Sequence, residues 1–190
     1  MRITAIVPFH SNAAHLEQCL VAIRRSMPEA GIIVVADGAL EDCRALAHRC
    51  QARLIEIRGP QGPAVARNRG AAQADADVLV FVDADVVVAP DAIQGMCAVL
   101  GTTSDVAAIF GAYDLTTVEH NFMSQFKNLS HAYVHETGRT DAQTFWAGLG
   151  AIRASVFRTV GGFDERFRRP SIEDIDLGYR IVDAGHHIRL

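Results

Sequence analysis

Short apolar segments alternate with helix-like segments through the first 82 residues, and this alternation restricts the fold more than any other feature. Strands are predicted for the four apolar segments, at Arg2–Pro8, Gly31–Ala36, Arg53–Ile57 and Val78–Val82. Helices are predicted between them, from Ser11 or Asn12 to Met27, over Glu41–Arg49 and over Ala64–Ala74. Strands that alternate with helices predict an α/β fold, with a doubly wound, mostly parallel sheet flanked by helices.

The second half of the chain has a less regular pattern. Helices are predicted at Asp91–Leu100, Glu119–Thr137, Ser155–Val160 and Glu173–Ala184. Strands are predicted at Val106–Tyr113 and Phe145–Ile152, with another that begins at His187. The Glu119–Thr137 helix is predicted to be amphipathic, with one apolar face formed by Phe122, Phe126, Leu129 and Tyr133. With 190 residues, the chain is expected to form one domain over residues 1–190.

Composition excludes several classes of protein. The chain is 49% hydrophobic and 21% charged, which is typical of a globular domain. Its net charge is −4 without a basic block, so a nucleic-acid partner is not expected. The four cysteines show no C-x-x-C spacing, and they are predicted to be buried thiols in a reducing compartment. Neither a signal-peptide pattern nor a membrane-spanning run is visible, so a cytoplasmic location is predicted.

Asp83 and Asp85 follow directly after the predicted strand Val78–Val82. Open α/β sheets bind their ligands at the carboxyl ends of the strands. If both acids continue the strand, their carboxylates lie roughly 6–7 Å apart on one side and repel each other. A cation such as Mg²⁺ would turn that repulsion into binding, because it favours one or two carboxylates with phosphates completing its shell. The pattern predicts a metal-bound diphosphate, with two solvated turn residues as the alternative.

Seven motifs in a fixed order connect the chain with a known family. They are Ile6-Val-Pro-Phe-His10, Val34-Val-Ala-Asp-Gly38, Gly62-Pro-Ala-Val-Ala-Arg-Asn-Arg-Gly70, Phe81-Val-Asp-Ala-Asp85, Trp146-Ala-Gly-Leu-Gly-Ala-Ile-Arg153, Val160-Gly-Gly-Phe-Asp-Glu165 and Ile172-Glu-Asp-Ile-Asp-Leu-Gly-Tyr-Arg180. Each motif alone is weak, but together they resemble the family 2 glycosyltransferases over nearly the whole chain.

The resemblance implies a GT-A fold, with a Rossmann-like nucleotide-binding half over about residues 1–100 and an acceptor-side half over about residues 101–190. It implies the transfer of a sugar, with inversion, from a nucleoside-diphosphate sugar to an acceptor hydroxyl, assisted by Mg²⁺ or Mn²⁺. A UDP-sugar is the expected donor, and a saccharide or lipid-linked saccharide the expected acceptor, with peripheral contact at the inner face of the membrane as an option. Family members usually continue beyond the acidic helix, so the chain is expected to be part of a longer protein, a minimal enzyme or a partner-dependent fragment.

The resemblance also assigns roles to single residues. Asp174 is expected to be the general base, and the neighbouring Glu173 is expected to raise its proton affinity. Asp85 is expected to be the main metal ligand and Asp83 the second. The residues expected to contact the nucleotide sugar are Pro8, Asp37, Arg67, Asp83, Trp146 and Gly148.

Plainer interpretations of these residues stay open. Asp37 can be a turn residue that caps a helix, and Arg67 can be an ordinary exposed helix residue. The acids at the start of the last helix can simply be stabilised by the helix dipole, and Trp146 can be part of the core. His131 and His135 are interpreted as a solvated pair, because no H-E-x-x-H pattern joins them.

Two other functions compete with glycosyl transfer. A non-catalytic nucleotide-sugar-binding domain would retain Asp37 and Asp85 without a working base. A sugar nucleotidyltransferase would share the sheet and the metal-binding acids, but it usually has a glycine- and lysine-bearing N-terminal loop, which this sequence lacks.

Overall fold

The computed structural model describes residues 1–39, 41–115, 121–137 and 140–190, apart from the side chain of His135. The strands are β1 Ile3–Phe9, β2 Gly31–Asp37, β3 Arg53–Ile57, β4 Val78–Val82, β5 Val106–Phe110, β6 Asp141–Ala142, β7 Leu149–Arg153 and β8 His187–Arg189. The helices are α1 Ala13–Ser26, α2 Arg44–Arg49, α3 Pro63–Ala72, α4 Ala92–Thr102, α5 Phe122–Thr137, α6 Ala154–Thr159 and α7 Glu173–Asp183.

The strands form one sheet in the order β3-β2-β1-β4-β7-β5-β8-β6. The four strands of the first half are parallel to one another, as their alternation with helices predicted. Strand β7 is antiparallel to both β4 and β5, while β8 runs parallel to β5. The prediction of a mostly parallel α/β sheet is therefore confirmed. The sheet combines strands from both halves of the chain and brings the end of β4 beside the segment that precedes β7.

Several predicted boundaries were wrong for local reasons. Helix α2 begins at Arg44 and not at Glu41, because the Glu41 carboxylate accepts hydrogen bonds from the backbone N–H groups of Asn12 (2.8 Å) and Ala13 (3.0 Å) at the start of α1. The predicted strand Phe145–Ile152 begins only at Leu149, and the four residues before it form a loop. The two-residue strand β6 was not predicted.

Two apolar clusters fill the space between the sheet and its helices, one on each face. One of them contains four phenylalanines that lie below the end of β4. The Phe81 ring is 5.0 Å from the Phe163 ring and 6.4 Å from the Phe145 ring, both edge to face, and Phe157 packs against Phe81 at 5.3 Å. Burying each such ring stabilises the fold by about 1.5–3 kcal/mol. The loops that follow β4 and precede β7 therefore stand on a rigid base.

Helix α5 packs differently from the other long helices. Its side toward the protein is formed by small and polar residues, with Ala132 buried and Ser124 and Asn128 half-buried. The predicted apolar face is present, but its residues are 48–77% exposed. The first two residues of the predicted helix, 119 and 120, lie outside the described residues. Among the helices in the described ranges, none combines the length and hydropathy needed to cross a membrane.

Candidate active site

Arg67 joins two carboxylates that come from distant parts of the chain. It lies on α3 with only 5% of its side chain exposed, and its Nη2 donates to Asp83 Oδ1 at 2.6 Å. Its Nη1 donates to Glu173 Oε1 at 2.9 Å, and the Glu173 side chain is also 5% exposed. The guanidinium lies 5.4 Å from the centre of the Phe163 ring. Because a guanidinium has a rigid fork of donors, one arginine fixes the end of β4 relative to the start of α7.

Asn68, the neighbour of Arg67, also holds two segments together. Its side chain exchanges hydrogen bonds with the backbone of Phe163, accepting from the N–H at 2.9 Å and donating to the carbonyl at 2.8 Å. It also donates to Glu165 Oε1 at 3.0 Å. The Arg67-Asn68 pair thus positions protein groups, and the predicted contact of Arg67 with a nucleotide stays a prediction.

Asp83 and Asp85 lie in a turn and not in the strand. The strand ends at Val82, and the N–H of Val86 donates to the Asp83 carbonyl at 3.0 Å to close the turn. The strand thus ends at Val82 as predicted, and the spacing expected if both acids continued the strand does not apply to this turn. The Asp83 N–H donates to the Gly148 carbonyl at 3.0 Å, so the turn is fixed to the loop before β7. Asp85 is exposed to solvent.

The charge around Asp83 is mainly negative. The pKa of Asp83 is raised, first because surrounding protein removes the carboxylate from water and further by the charges of Asp85 and Glu173, although Arg67 acts in the opposite direction. The thiol of Cys19 lies beneath, 3.4 Å from the Asp83 carbonyl, and burial followed by the two aspartate charges raises its pKa. A cation placed here would relieve this repulsion.

The residues at this turn fit a divalent cation that is shared with a phosphate ligand. Asp83 Oδ1 accepts the hydrogen bond from Arg67, whereas Asp83 Oδ2 lies on the side of Gly148. A Cβ atom added to Gly148 would be 3.7 Å from this Oδ2. The described part of the chain contains no group of three or more His, Cys, Asp or Glu residues suited to a metal. Two carboxylates are nevertheless sufficient for Mg²⁺ or Mn²⁺ when water and diphosphate oxygens supply the other ligands. Asp85 and Asp83 Oδ2 are the candidate protein ligands.

Asp174 differs from the other acids in the first turn of α7. Glu173 is bound to Arg67, and Asp176 forms an ion pair with Arg180 at 2.8 Å. Asp174 accepts backbone hydrogen bonds, from Ala147 at 3.2 Å and from Ile175 at 2.8 Å. Its pKa is raised, chiefly by burial and also by the neighbouring charge of Glu173, while the bond from Ala147 acts against the shift. Asp174 is therefore a half-buried carboxylate with increased basicity.

A glycine in α7 allows this helix to approach the loop that carries Trp146. A Cβ on Gly178 would collide with the backbone of Thr144 and Phe145. The close approach places Asp174 against the N–H of Ala147, while Asp83 is bonded to the next residue of the same loop. The loop before β7 therefore contacts both candidate functional residues, Asp174 through its carboxylate and Asp83 through its backbone N–H.

The structure adds one aromatic residue, Tyr113, that the sequence analysis did not single out. Tyr113 follows β5, and its pKa is raised by burial and then by the charges of Asp83, Asp85 and Asp174, so its hydroxyl lies in the field of the site. Its ring stacks on His131 of α5 at 5.1 Å. The available signal for Tyr113 was its position at the carboxyl end of the predicted strand Val106–Tyr113, by the same rule that selected Asp83.

His131 is half-buried, in contrast to the solvated pair predicted with His135, whose side chain lies outside the described residues. Its ring meets the edge of the Trp146 ring at 5.2 Å, and Trp146 in turn stacks on Phe110 at 6.5 Å. Burial, followed by the charge of Lys127, lowers the pKa of His131. Trp146 itself is half-buried, and it lies within a row of aromatic rings at the edge of the site.

The Asp37 carboxylate is nearly buried and binds backbone. It accepts hydrogen bonds from the N–H groups of Gln61, at 2.8 and 3.0 Å, and of Gly62, at 2.7 Å. The Asp37 carbonyl lies 2.9 Å from Nδ1 of His10. Pro8, half-buried on β1, lies beside Val35 of β2. Asp37 thus fixes the loop that leads into α3 and does not cap α2.

The fold, with its mixed sheet and with acids after β4 and at the start of α7, defines the GT-A class. The family model described as "Glycosyl transferase family 2" matches residues 4–161. The chain belongs to this family.

Three comparisons illustrate the relationship. The chain is 28% identical to the pre-mycofactocin glycosyltransferase of Mycobacterium tuberculosis over an alignment of 200 residues, gaps included, that covers 98% of this chain and 40% of that protein. It resembles the structure of the mannosyltransferase PcManGT from Pyrobaculum calidifontis in complex with GDP-Man and Mn²⁺ (TM-score 0.78, 20% identity, 99% of this chain, 54% of the other). It also resembles the structure of GalNAc-T7 with UDP, GalNAc and Mn²⁺ (TM-score 0.75, 17% identity, 99% of this chain, 42% of the other). The chain spans about half the length of these proteins.

Proposed function

We propose that the chain is a glycosyltransferase domain that transfers a sugar from a nucleoside-diphosphate sugar to an acceptor hydroxyl with inversion. The observation that carries the proposal is the convergence of three separate segments, in which Arg67 holds Asp83 beside Glu173 and one loop contacts both Asp83 and Asp174. Acids with distinct environments at the carboxyl edge of the sheet suit distinct roles.

Asp85 and Asp83 would hold Mg²⁺ or Mn²⁺ against the diphosphate of the donor. The cation, when bound, would act as a Lewis acid that stabilises the charge on the departing diphosphate. The Asp83–Asp85 turn offers one exposed and one partly buried carboxylate, which are suited to a substrate-bound ion. Both solved neighbours compared above were determined with Mn²⁺, which supports the proposal.

The nucleotide is proposed to lie along the carboxyl ends of β1 and β2, near Pro8, Asp37 and Arg67. Because the carboxylate of Asp37 and both Nη atoms of Arg67 already bind protein groups, we propose that these two residues act mainly by shaping the nucleotide pocket. A UDP-sugar is the proposed donor, and the neighbour with UDP supports it, although another neighbour contains GDP-Man.

Asp174 is the proposed general base. The acceptor oxygen forms a bond to the anomeric carbon, the bond from that carbon to the diphosphate oxygen breaks, and the acceptor proton moves to the Asp174 carboxylate. The raised pKa of Asp174 favours this transfer, because burial and the charge of Glu173 make the carboxylate a stronger base. Trp146 and Gly148 would border the sugar, with the Trp146 ring as an apolar surface and Gly148 allowing a close approach beside Asp83.

The acceptor is proposed to be a saccharide or a lipid-linked saccharide. A cytoplasmic location is also part of the proposal, and the four free cysteines support it, since a reducing compartment preserves thiols. Contact with the inner face of a membrane, which the resemblance suggested, stays a prediction.

Thermal unfolding with UDP, GDP and dTDP, each with and without Mn²⁺, tests donor binding. A ligand at 100 times its dissociation constant stabilises a protein by about 2.7 kcal/mol, so one nucleotide should raise the unfolding temperature in a Mn²⁺-dependent way. Hydrolysis or transfer of the matching donor should then be lost in Asp174→Asn while nucleotide binding is kept. Asp183→Asn, an exposed change at the other end of α7, is the matched control.

The proposal fails if none of the nucleotides stabilises the chain. Retained binding with no transfer or hydrolysis by the unaltered chain would favour the non-catalytic nucleotide-sugar binder. Turnover that persists in Asp174→Asn would remove Asp174 from its role as the base.

A further inference from the structure

The exposed apolar face of α5 has no covering element among the described residues. It is formed by the α5 stripe, which we define as Phe122, Phe126, Leu129 and Tyr133, and all four are exposed. The helix is attached to the protein by its opposite side, where Asn128 Nδ2 donates to the Asp114 carbonyl at 2.7 Å. Monomeric proteins rarely expose contiguous apolar surface of this kind unless it binds something.

A groove runs along the same helix. This α5 groove has a volume of about 370 Å³ and is lined by Met123, Ser124, Phe126, Lys127, Ser130 and His131. All six residues belong to α5, so the groove is an open depression along one side of this helix. Phe126 belongs to both the stripe and the groove, and its ring stacks on that of Phe122 at 6.1 Å. The groove therefore offers an aromatic wall for an apolar chain.

One residue, His131, links the α5 groove with the candidate active site. His131 lines the groove and also contacts Tyr113 and Trp146 through its ring. Tyr113 in turn lies within the electrostatic field of Asp83 and Asp174. A ligand that extends from the site past this row of rings would enter the groove.

We infer that the α5 groove binds the apolar part of an amphiphilic acceptor whose hydroxyl-bearing head reaches Asp174. This inference rests on the proposed function for the identity of the head group, while the stripe and the groove supply the evidence for the tail. A lipid surface fits less well, because interfacial helices usually carry many Lys or Arg residues on their polar face. Within α5, Lys127 is the single Lys or Arg residue, and the chain has a net charge of −4.

Binding of octyl glucoside and methyl glucoside tests the inference, because the two differ only in the length of the apolar part. Trp146 is the only tryptophan in the sequence, and its contact with His131 makes its fluorescence a local reporter. Below its micelle concentration, octyl glucoside should bind at least about tenfold more tightly than methyl glucoside, given the free energy of burying methylene groups.

Variants locate the binding. Phe126→Gln and Met123→Gln remove apolar side chains from the groove lining, so each should abolish most of the preference for octyl glucoside. Val134→Gln is the matched control, because Val134 is an exposed apolar residue of α5 that does not line the groove. This control should keep the preference.

Several results would overturn the inference. Equal affinity for the two glucosides would do so, as would an equal loss in Phe126→Gln and Val134→Gln, which would indicate nonspecific adsorption. Sedimentation with phosphatidylcholine vesicles that depends on Phe126, without a preference for octyl glucoside, would assign the stripe to a membrane. Concentration-dependent dimerisation that Phe126→Gln prevents, again without such a preference, would assign it to a second copy of the chain.

The UDP and Mn²⁺ stability assay keeps the two proposals separate. Nucleotide binding without the octyl preference would overturn the groove and leave the transferase proposal intact. A preference for octyl glucoside without any nucleotide binding would support an apolar site in the α5 groove. It would contradict the proposed glycosyltransferase function, and the ligand would then have no role as an acceptor.

Discussion

Glu173 accepts a hydrogen bond from Arg67 at 2.9 Å, although 106 residues separate them in the sequence. The other Nη atom of the same guanidinium binds Asp83, the first acid after β4. One buried cation thus compensates two carboxylates that would otherwise repel each other across the site. Because Asp174 directly follows Glu173, this link also sets the position of the proposed base relative to the proposed metal ligands.

Arg67→Ala should therefore destabilise the fold strongly. It would leave the buried Glu173 carboxylate without a positively charged partner, and breaking a buried ion pair by removing one member costs about 3–5 kcal/mol. Arg67→Lys should rescue only part of this loss, because one ammonium cannot reproduce the two-pronged geometry. Urea unfolding measures the effect.

Arg44→Ala is the control for Arg67→Ala, because Arg44 also binds two acids, Asp42 and Glu56, but in solvent. It should change the stability little. Similar losses in the two variants would contradict the structural role assigned to Arg67.

The metal site gives a second prediction. Asp85→Asn should remove the Mn²⁺-dependent part of the stabilisation by UDP, because it replaces the exposed carboxylate of the turn with a neutral amide. Thermal unfolding with UDP at several Mn²⁺ concentrations provides the measurement. Asp105→Asn, an exposed aspartate before β5, should respond like the unaltered chain. An unchanged Mn²⁺ dependence in Asp85→Asn would exclude Asp85 as a main ligand.

Much of the first half of the fold could be predicted because local patterns determine it. Strands β1, β2 and β4 are largely apolar segments, and the parallel order follows from the helices between the strands. The position of Asp83 and Asp85 at the sheet edge followed from the same pattern. The exact geometry of the two acids could not be predicted in this way, because the turn depends on a hydrogen bond to Gly148, which is distant in sequence.

The features that could not be predicted depend on long-range contacts. The periodicity of the sequence identified the apolar face of α5. It could not show whether that face packs against the protein or is exposed to solvent. The segment Phe145–Gly148 resembles a strand in composition, yet it forms a loop in which the Phe145 ring packs on Phe81. The role of Arg67 was likewise hidden, because an arginine in a helix gives no local sign of buried acidic partners.

Gly178 provides a third prediction, about the packing of α7. Gly178→Ala should destabilise the protein by about 1–3 kcal/mol, since the new methyl group would overlap the backbone of Thr144 and Phe145. Gly95→Ala is the matched control in helix α4, where an added Cβ meets nothing within 4 Å. That change should stabilise the protein by about 0.5–1 kcal/mol, as expected for Ala over Gly in a helix. Denaturant unfolding should therefore show opposite signs, and equal signs would refute the close approach.

The raised pKa of Asp174 gives a fourth prediction. A carboxyl group whose pKa is higher in the folded state contributes stability that is fully present below its unfolded pKa and is lost as the pH rises through its folded pKa. Asp174→Asn removes this dependence and keeps an oxygen that can accept from Ala147. The variant should therefore be more stable than the unaltered chain near pH 7, with a difference that shrinks toward about pH 4.

Unfolding temperatures of both chains across this pH range measure the effect of Asp174→Asn. The control Asp183→Asn should show no such trend, because Asp183 is exposed at the end of α7. A variant that is less stable at pH 7, or a difference that does not change with pH, would contradict the burial of the Asp174 charge.

The row of rings beside the site yields the last prediction. Trp146 contacts His131 edge to face at 5.2 Å, and a protonated imidazole quenches indole fluorescence more strongly than a neutral one. Trp146 emission should therefore increase as the pH rises through the pKa of His131. The midpoint should lie below the usual value for histidine, because burial and then the charge of Lys127 lower this pKa. His131→Gln should abolish the transition, whereas Lys127→Gln should move its midpoint upward. The exposed His48 of α2 supplies the control, and a transition that survives in His131→Gln but disappears in His48→Gln would place the titrating group elsewhere.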